Sequence, residues 1–417
     1  MEVRPGYKLT EAGVIPNDWE VVPLGALVQS VEYGSSAPSK PKGNVPVLRM
    51  GNLQSGMIDW QDLVFTNDPA EIQRYELHEG DVLFNRTNTI DLVGKTSIYE
   101  GERKAIFAGY LIRVVTRADK LDAKYLNFVM NTDLARKHSS KVLSVAVGQA
   151  NINGQKLRTY PIPLPPTLLE QRAIAAALSD VDLLLGGLDR LIAKKRDLKQ
   201  AAIQQLLTGR TRLPGHGVPW QEMRTAEAGE VLAGKALDVG GAGPMRPYLR
   251  TKNVLDGRIE TEDVLKMPMT NAEFERFQIL PGDVLLNEGQ SLELVGRCSM
   301  YKGELPLPCA MQNQLLRFRA YAHTSAAFAT LLFRWCQNSG VFAAIATQTT
   351  SVAHLGGSRF SDLRLRWPTE LAEQTAIAEV LCDMDAELTA LEARRDKTRD
   401  LKQAMMQELL TGKTRLM

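Results

Sequence analysis

Apolar residues recur at Ile174, Leu178, Val181, Leu185, Leu188 and Ile192, and again at Ile377, Leu381, Met384, Leu388 and Leu391. Steps of four and three place each set on one face of a helix, as the seam of a coiled coil. Both patterns then shift phase to Leu198 or Leu401, as a stutter does. Both stop at the same signal, Thr208-Gly209 and Thr411-Gly412, which sets a glycine where a helix end needs positive φ. Pro165-Pro166 and Pro368 mark the starts. The spacing predicts two helices of about 40 residues, about 60 Å each at 1.5 Å per residue, with Gly186-Gly187 a weak point in the first.

The two helices are copies. Glu170 to Leu213 and Glu373 to Leu416 align without a gap and agree at more than half of their positions. A period of roughly 200 residues is far too long for a solenoid unit, so a domain plus its helix has been duplicated. Such a chain is a pseudo-dimer with two equivalent surfaces. The regions before the helices echo one another too. Val47-Leu48-Arg49-Met50-Gly51-Asn52 parallels Tyr248-Leu249-Arg250-Thr251-Lys252-Asn253, and Gly80-Asp81-Val82-Leu83 parallels Gly282-Asp283-Val284-Leu285. Leu92-Val93-Gly94-Lys95 likewise parallels Leu294-Val295-Gly296-Arg297. Short apolar runs flanked by Gly, Asn or Asp read as strands and turns. Leu121–Asn131 and Ala326–Gln337 have helical spacing. The fold class expected is α/β of the α+β kind: mixed globules at 1–165 and 211–368, long helices at 166–210 and 369–417. Shared sequence favours packing the two helices antiparallel as a coiled coil with pseudo-two-fold symmetry.

At 417 residues there is room for two or three domains. A net charge of +2 announces no global basic field, so nucleic-acid binding must rest on local clusters. The opening residues lack the apolar core of a secretory signal, and no apolar run approaches a membrane span. A cytoplasmic protein with free buried thiols is expected, since Cys298, Cys309, Cys336 and Cys382 have no CxxC spacing. No catalytic constellation stands out. The five histidines are scattered. Gly229 to Ala236 has the GxxxxGK spacing of a phosphate loop, but Ala236 lacks the hydroxyl that would hold Mg²⁺. Gly240-Gly241-Ala242-Gly243 is a flexible loop, and no acid–base pair of carboxylates is singled out.

Two variable globules, each followed by a long helix ending in Leu-Leu-Thr-Gly-Arg/Lys-Thr-Arg-Leu, resemble the specificity subunit of type I restriction–modification systems. The likeness rests on the paired Gly-Asp-Val-Leu motifs, on Pro163-Leu164-Pro165-Pro166 running to Glu170-Gln171, and on the two Asp-Leu-Lys-Gln-Ala helices. Gly13-Val14-Ile15-Pro16-Asn17-Asp18-Trp19 looks like that family's start of a target-recognition domain, and Gly217-Val218-Pro219-Trp220 is a shortened echo. The second junction, Arg366-Trp367-Pro368, lacks the double proline. The resemblance implies a non-catalytic reader of double-stranded DNA with two target-recognition domains, one for each half of a bipartite, asymmetric site. It implies two docked copies of an adenine-N6 methyltransferase subunit and a translocating nuclease subunit. It also implies that S-adenosylmethionine, ATP and Mg²⁺ belong to those partners, with no cofactor or metal on this chain.

Loop donors and acceptors are the candidate DNA contacts, because Asn and Gln can read adenine, Arg guanine, and Lys or Ser a phosphate. In the first globule these are Arg49, Asn52, Asn85, Arg86, Asn88, Lys95, Gln149, Asn151, Asn153 and Lys156. In the second they are Arg250, Lys252, Asn253, Asn287, Gln290, Ser291, Arg297, His354, Ser358 and Arg359. Lys194, Lys195 and Arg196 read as solvated helix face or protein contacts. A coiled-coil scaffold that binds only proteins, and an enzyme with an unrecognised site in the globules, are the competing readings.

Overall fold

A computed structural model describes residues 4–146, 148–238, 240–348 and 352–416. The chain forms two compact units, one of residues 1–189 with 393–417, the other of residues 190–392. Both cuts fall inside the long helices, Leu168–Leu206 and Leu371–Leu409, each of 39 residues. Each unit therefore contains one globule, the start of that globule's own helix, and the end of the helix belonging to the other repeat.

The globules are built alike. In the first unit a four-stranded antiparallel sheet runs Thr96–Ile98, Val82–Asn85, Leu111–Thr116, Val28–Tyr33. In the second the same order runs Cys298–Met300, Val284–Asn287, Leu315–Ala320, Gly229–Ala233. The shared Gly-Asp-Val-Leu motif launches the buried strand of each. Gly80 and Gly282 take φ values of +91° and +97°, a region that only glycine enters without strain. The aspartate then caps its own turn, Asp81 Oδ2 accepting from the His78 amide at 2.9 Å and Asp283 Oδ2 from the Leu280 amide at 2.7 Å. Gly229–Ala233 is an edge strand and not a phosphate cradle, and Lys235 is committed to Glu273 at 2.5 Å. A helix, Ala123–Met130 or Ala326–Asn338, packs on each sheet.

The helix segments run antiparallel within each unit. In the first, Ile174 and Leu178 share a core with Leu409 and Leu410, and Asp182 meets Lys402 at 2.6 Å. In the second, Ile377 and Leu381 share a core with Leu206 and Leu207, and Glu387 meets Lys195 at 2.7 Å. The seam residues are inward as expected, but the continuation through Leu198 and Leu401 is corrected: both leucines lie on the outer face, 48% and 55% exposed. The following lysines turn inward instead. Lys402 pairs with Asp182, and its counterpart Lys199 pairs with Asp385. A lysine stem covers apolar surface while its ammonium finds a carboxylate, which an alternation of apolar residues does not reveal. Lys195 and Arg196 are likewise paired, with Glu387 and Glu392.

Glu-Gln at the helix starts is a double latch. Gln171 accepts from the Asp122 amide at 2.9 Å and donates to the Lys120 carbonyl at 3.1 Å. Gln374 accepts from the Ser325 amide at 2.7 Å and donates to the His323 carbonyl at 3.2 Å. The glutamates hold the helix end supplied by the other repeat. Glu170 takes the guanidinium of Arg415, with Nη2 at 2.8 Å, and Glu373 takes that of Arg212, with Nη2 at 2.7 Å. Each guanidinium lies over a tryptophan of the opening motif, Arg415 at 5.7 Å from the Trp19 ring and Arg212 at 5.8 Å from that of Trp220. Gly412 and Gly209, both at φ +67°, turn the chain there. Both glutamates are buried, so removing a guanidinium strands a charge away from water. Arg415→Ala is expected to destabilise the first unit by about 3 kcal/mol, and Arg212→Ala the second by a similar amount. Denaturant unfolding followed by fluorescence of the neighbouring tryptophan measures this, and an unchanged midpoint would refute it.

Candidate nucleic-acid interface

Two neighbouring features form the polar face of the first unit. One is a cleft of about 400 Å³ whose lining includes Arg49, Asn52, Gln54, Gln61, Asn88 and Lys95. The other is a three-stranded ribbon of Thr87–Asn88, Gln149–Asn151 and Ser144–Ala146. Asn88 belongs to both. Asn151 donates to Thr87 Oγ1 at 2.7 Å, Lys156 to Ser144 Oγ at 2.5 Å, and Lys95 to Gln54 Oε1 at 3.2 Å. Gln149 and Asn153 are exposed, Asn153 also capping the short helix Gly154–Leu157. Arg86 stands behind the ribbon, 4.8 Å over the Tyr33 ring.

The second unit repeats the ribbon with Gly289–Gln290, Ala353–His354 and Thr347–Gln348. His354 Nδ1 is 3.0 Å from Glu288 Oε2. Arg359 is tied to the His354 carbonyl and Thr347 Oγ1, while Ser291 and Ser358 are exposed. Arg297, the counterpart of Lys95, buries its Nε without a partner among the described residues. Arg250 and Lys252 converge on Asp263 at 2.7 and 2.6 Å. The hydrogen-bonded Lys252 ammonium holds the Asp263 carboxyl below its ordinary range. Arg49 is similarly engaged by Asp62 at 3.1 Å.

Four of the expected contacts are corrected. Asn52, Asn85, Asn253 and Asn287 are buried. Asn52 donates to the Asp59 and Gln61 carbonyls, and Asn253 to those of Glu260 and Asp263, so each closes a hairpin from inside. Asn85 and Asn287 end the central strand and donate to the Leu92 and Val254 carbonyls at 3.3 and 3.2 Å. Their burial and inward hydrogen bonds give them a scaffold role. Gln54 and Gln61 also line the cleft and Gln348 lies on the second ribbon; the sequence does not single them out, because glutamine in a loop resembles any solvated polar residue.

Among the described residues one group has the spacing of a metal site, His216, Glu370 and Glu373. Glu373 already binds the Arg212 guanidinium and the Trp220 indole N–H, so a cation's place is taken. Among those residues no helix is long and apolar enough to cross a membrane.

A model of the type I restriction modification DNA specificity domain matches residues 16–193. The chain is 32% identical over 206 residues to a putative type I restriction enzyme MjaX specificity subunit of Methanocaldococcus jannaschii, covering 48% of each chain. It is 26% identical over 314 residues to the type I restriction enzyme EcoKI specificity subunit of Escherichia coli, covering 70% of this chain and 66% of that one. The match thus spans 48% and 66% of the length of these two relatives. Two crystal structures share the fold across nearly the whole chain. The S subunit of a type I system from M. genitalium has a TM-score of 0.59 at 12% identity, with 98% of each chain covered. The HsdS subunit from Thermoanaerobacter tengcongensis has 0.53 at 17%, with 96% of this chain and 98% of that chain covered. Residues 16–193 thus match the type I restriction modification DNA specificity domain, and the fold across nearly the whole chain is that of these two S-subunit structures.

Proposed function

We propose that this chain is the DNA-reading subunit of a type I restriction–modification complex, each unit reading one half of a bipartite, asymmetric duplex site. The observation that carries this is the repeated ribbon with exchanged side chains. Asn88 and Asn151 of the first unit stand where the second has Gln290 and His354. One framework with different donors and acceptors suits two different base sequences. The chain's similarity to type I restriction enzyme specificity subunits supports the same role. The matched helix ends offer two similar faces for two copies of an adenine-N6 methyltransferase subunit, and a translocating nuclease subunit joins that assembly. S-adenosylmethionine, ATP and Mg²⁺ are the partners' cofactors, and the complex works in the cytoplasm.

The purified chain alone is expected neither to methylate nor to cleave DNA, and adding the methyltransferase subunit is expected to produce sequence-specific adenine methylation. Methylation by the chain alone would overturn the reading. Lys95→Ala is expected to weaken all duplexes alike and reduce the slope of log affinity against log salt by about one. Asn85→Ala is expected to do the opposite. It should lower stability by about 1 kcal/mol and leave sequence preference unchanged. A changed consensus from Asn85→Ala would return that residue to the reading surface.

A further inference from the structure

The two units differ sharply at one matched place. In the second, Arg319 sets Nε and Nη2 against Oδ1 and Oδ2 of buried Asp283, both at 2.7 Å. Strand register makes Val115 the counterpart of Arg319, and Ser30 that of Glu230. The aspartate is kept in the first unit. Asp81 is only 4% exposed and caps the same turn. Its cation is not kept. The Arg113 Nη1 stands at 3.5 Å and also serves the Glu76 carbonyl at 2.7 Å, while the other arm of that guanidinium goes to Glu32. Burial pushes the Asp81 carboxyl above its ordinary range, as expected for a carboxylate that lacks full compensation.

Where the Arg319 side chain would lie there is instead a cavity of about 530 Å³, lined by Ser30, Val115 and Asp81 among others. Its rim has gained negative charge. Glu79 replaces Pro281 in the matched turn, and Asp122 replaces Ser325 as the cap of the matched helix. Arg172 is the basic group of that rim nearest to Asp122, at 3.8 Å. The cavity keeps the carboxylate that takes a two-point guanidinium pairing in its twin, but here Asp81 meets only Nη1 of Arg113, at 3.5 Å, among a lining that also holds Glu32, Glu79, Asp122 and Arg172.

We propose that this cavity binds the guanidinium of an arginine supplied from outside the chain, held by Asp81 as Asp283 holds Arg319. A planar fork matched to a carboxylate favours guanidinium over ammonium. The inference does not depend on the chain reading DNA. Calorimetric titration of the full chain with N-ethylguanidinium, with ethylammonium as control, tests it. Saturable one-to-one binding is expected, at least tenfold tighter for the guanidinium. Val115→Arg supplies the missing group in cis and should abolish that binding without lowering the thermal midpoint. Glu79→Gln, at an exposed rim position, should weaken binding several-fold and covers the case in which Val115→Arg fails to fold. Tighter binding of a blocked Gly-Arg-Gly peptide than of free L-arginine assigns the group to a partner protein, and the reverse order assigns it to a small molecule. No saturable binding, equal affinity for the two probes, or binding unchanged in a folded Val115→Arg chain would overturn the proposal.

Discussion

Two carboxylates that have lost their water, Glu170 and Glu373, decide how this chain is assembled. A buried carboxylate without a cation is costly enough to unfold a marginal domain. The guanidinium that meets each one sits at the end of the other repeat's helix. Antiparallel return of those helix ends is therefore required by charge as well as by the apolar seam. It explains why Thr-Arg-Leu follows both helices, why each is preceded by a glycine turn, and why a tryptophan stands in both opening motifs. The adjoining glutamine ties the same helix start to the globule, so one dipeptide joins three segments in each unit.

Rigid, twice-built frames free the loops to differ. The asparagines that repeat are those that face inward and close hairpins or end strands. Positions that differ between repeats, Asn88 and Gln290 or Asn151 and His354, lie on the ribbons. It is burial, and not agreement alone, that separates the inward asparagines from the exchanged positions of the ribbons. Arg319 and Val115 show the same logic below the surface, where one repeat fills a carboxylate's needs and the other leaves a cavity.

Much of this was legible beforehand. The four-three spacing, the glycine stops and the Gly-Asp-Val-Leu turns each have a local physical cause, and each appears where the sequence places it. The inward Lys199 and Lys402 were not legible, because a charged residue on a coiled-coil face reads as solvated until its carboxylate partner is located across the seam. Nor was the burial of Asn85 and Asn287. A sequence names a donor but not the direction in which it points, and repetition within one chain does not separate a base contact from a hairpin tie.

Selection of bound duplexes from a random pool, using the chain mixed with a type I methyltransferase subunit, tests the proposed reading most directly. Two units reading separately predict a consensus of two short, different blocks separated by bases without preference. A single contiguous block, or enrichment with no consensus at all, would contradict it.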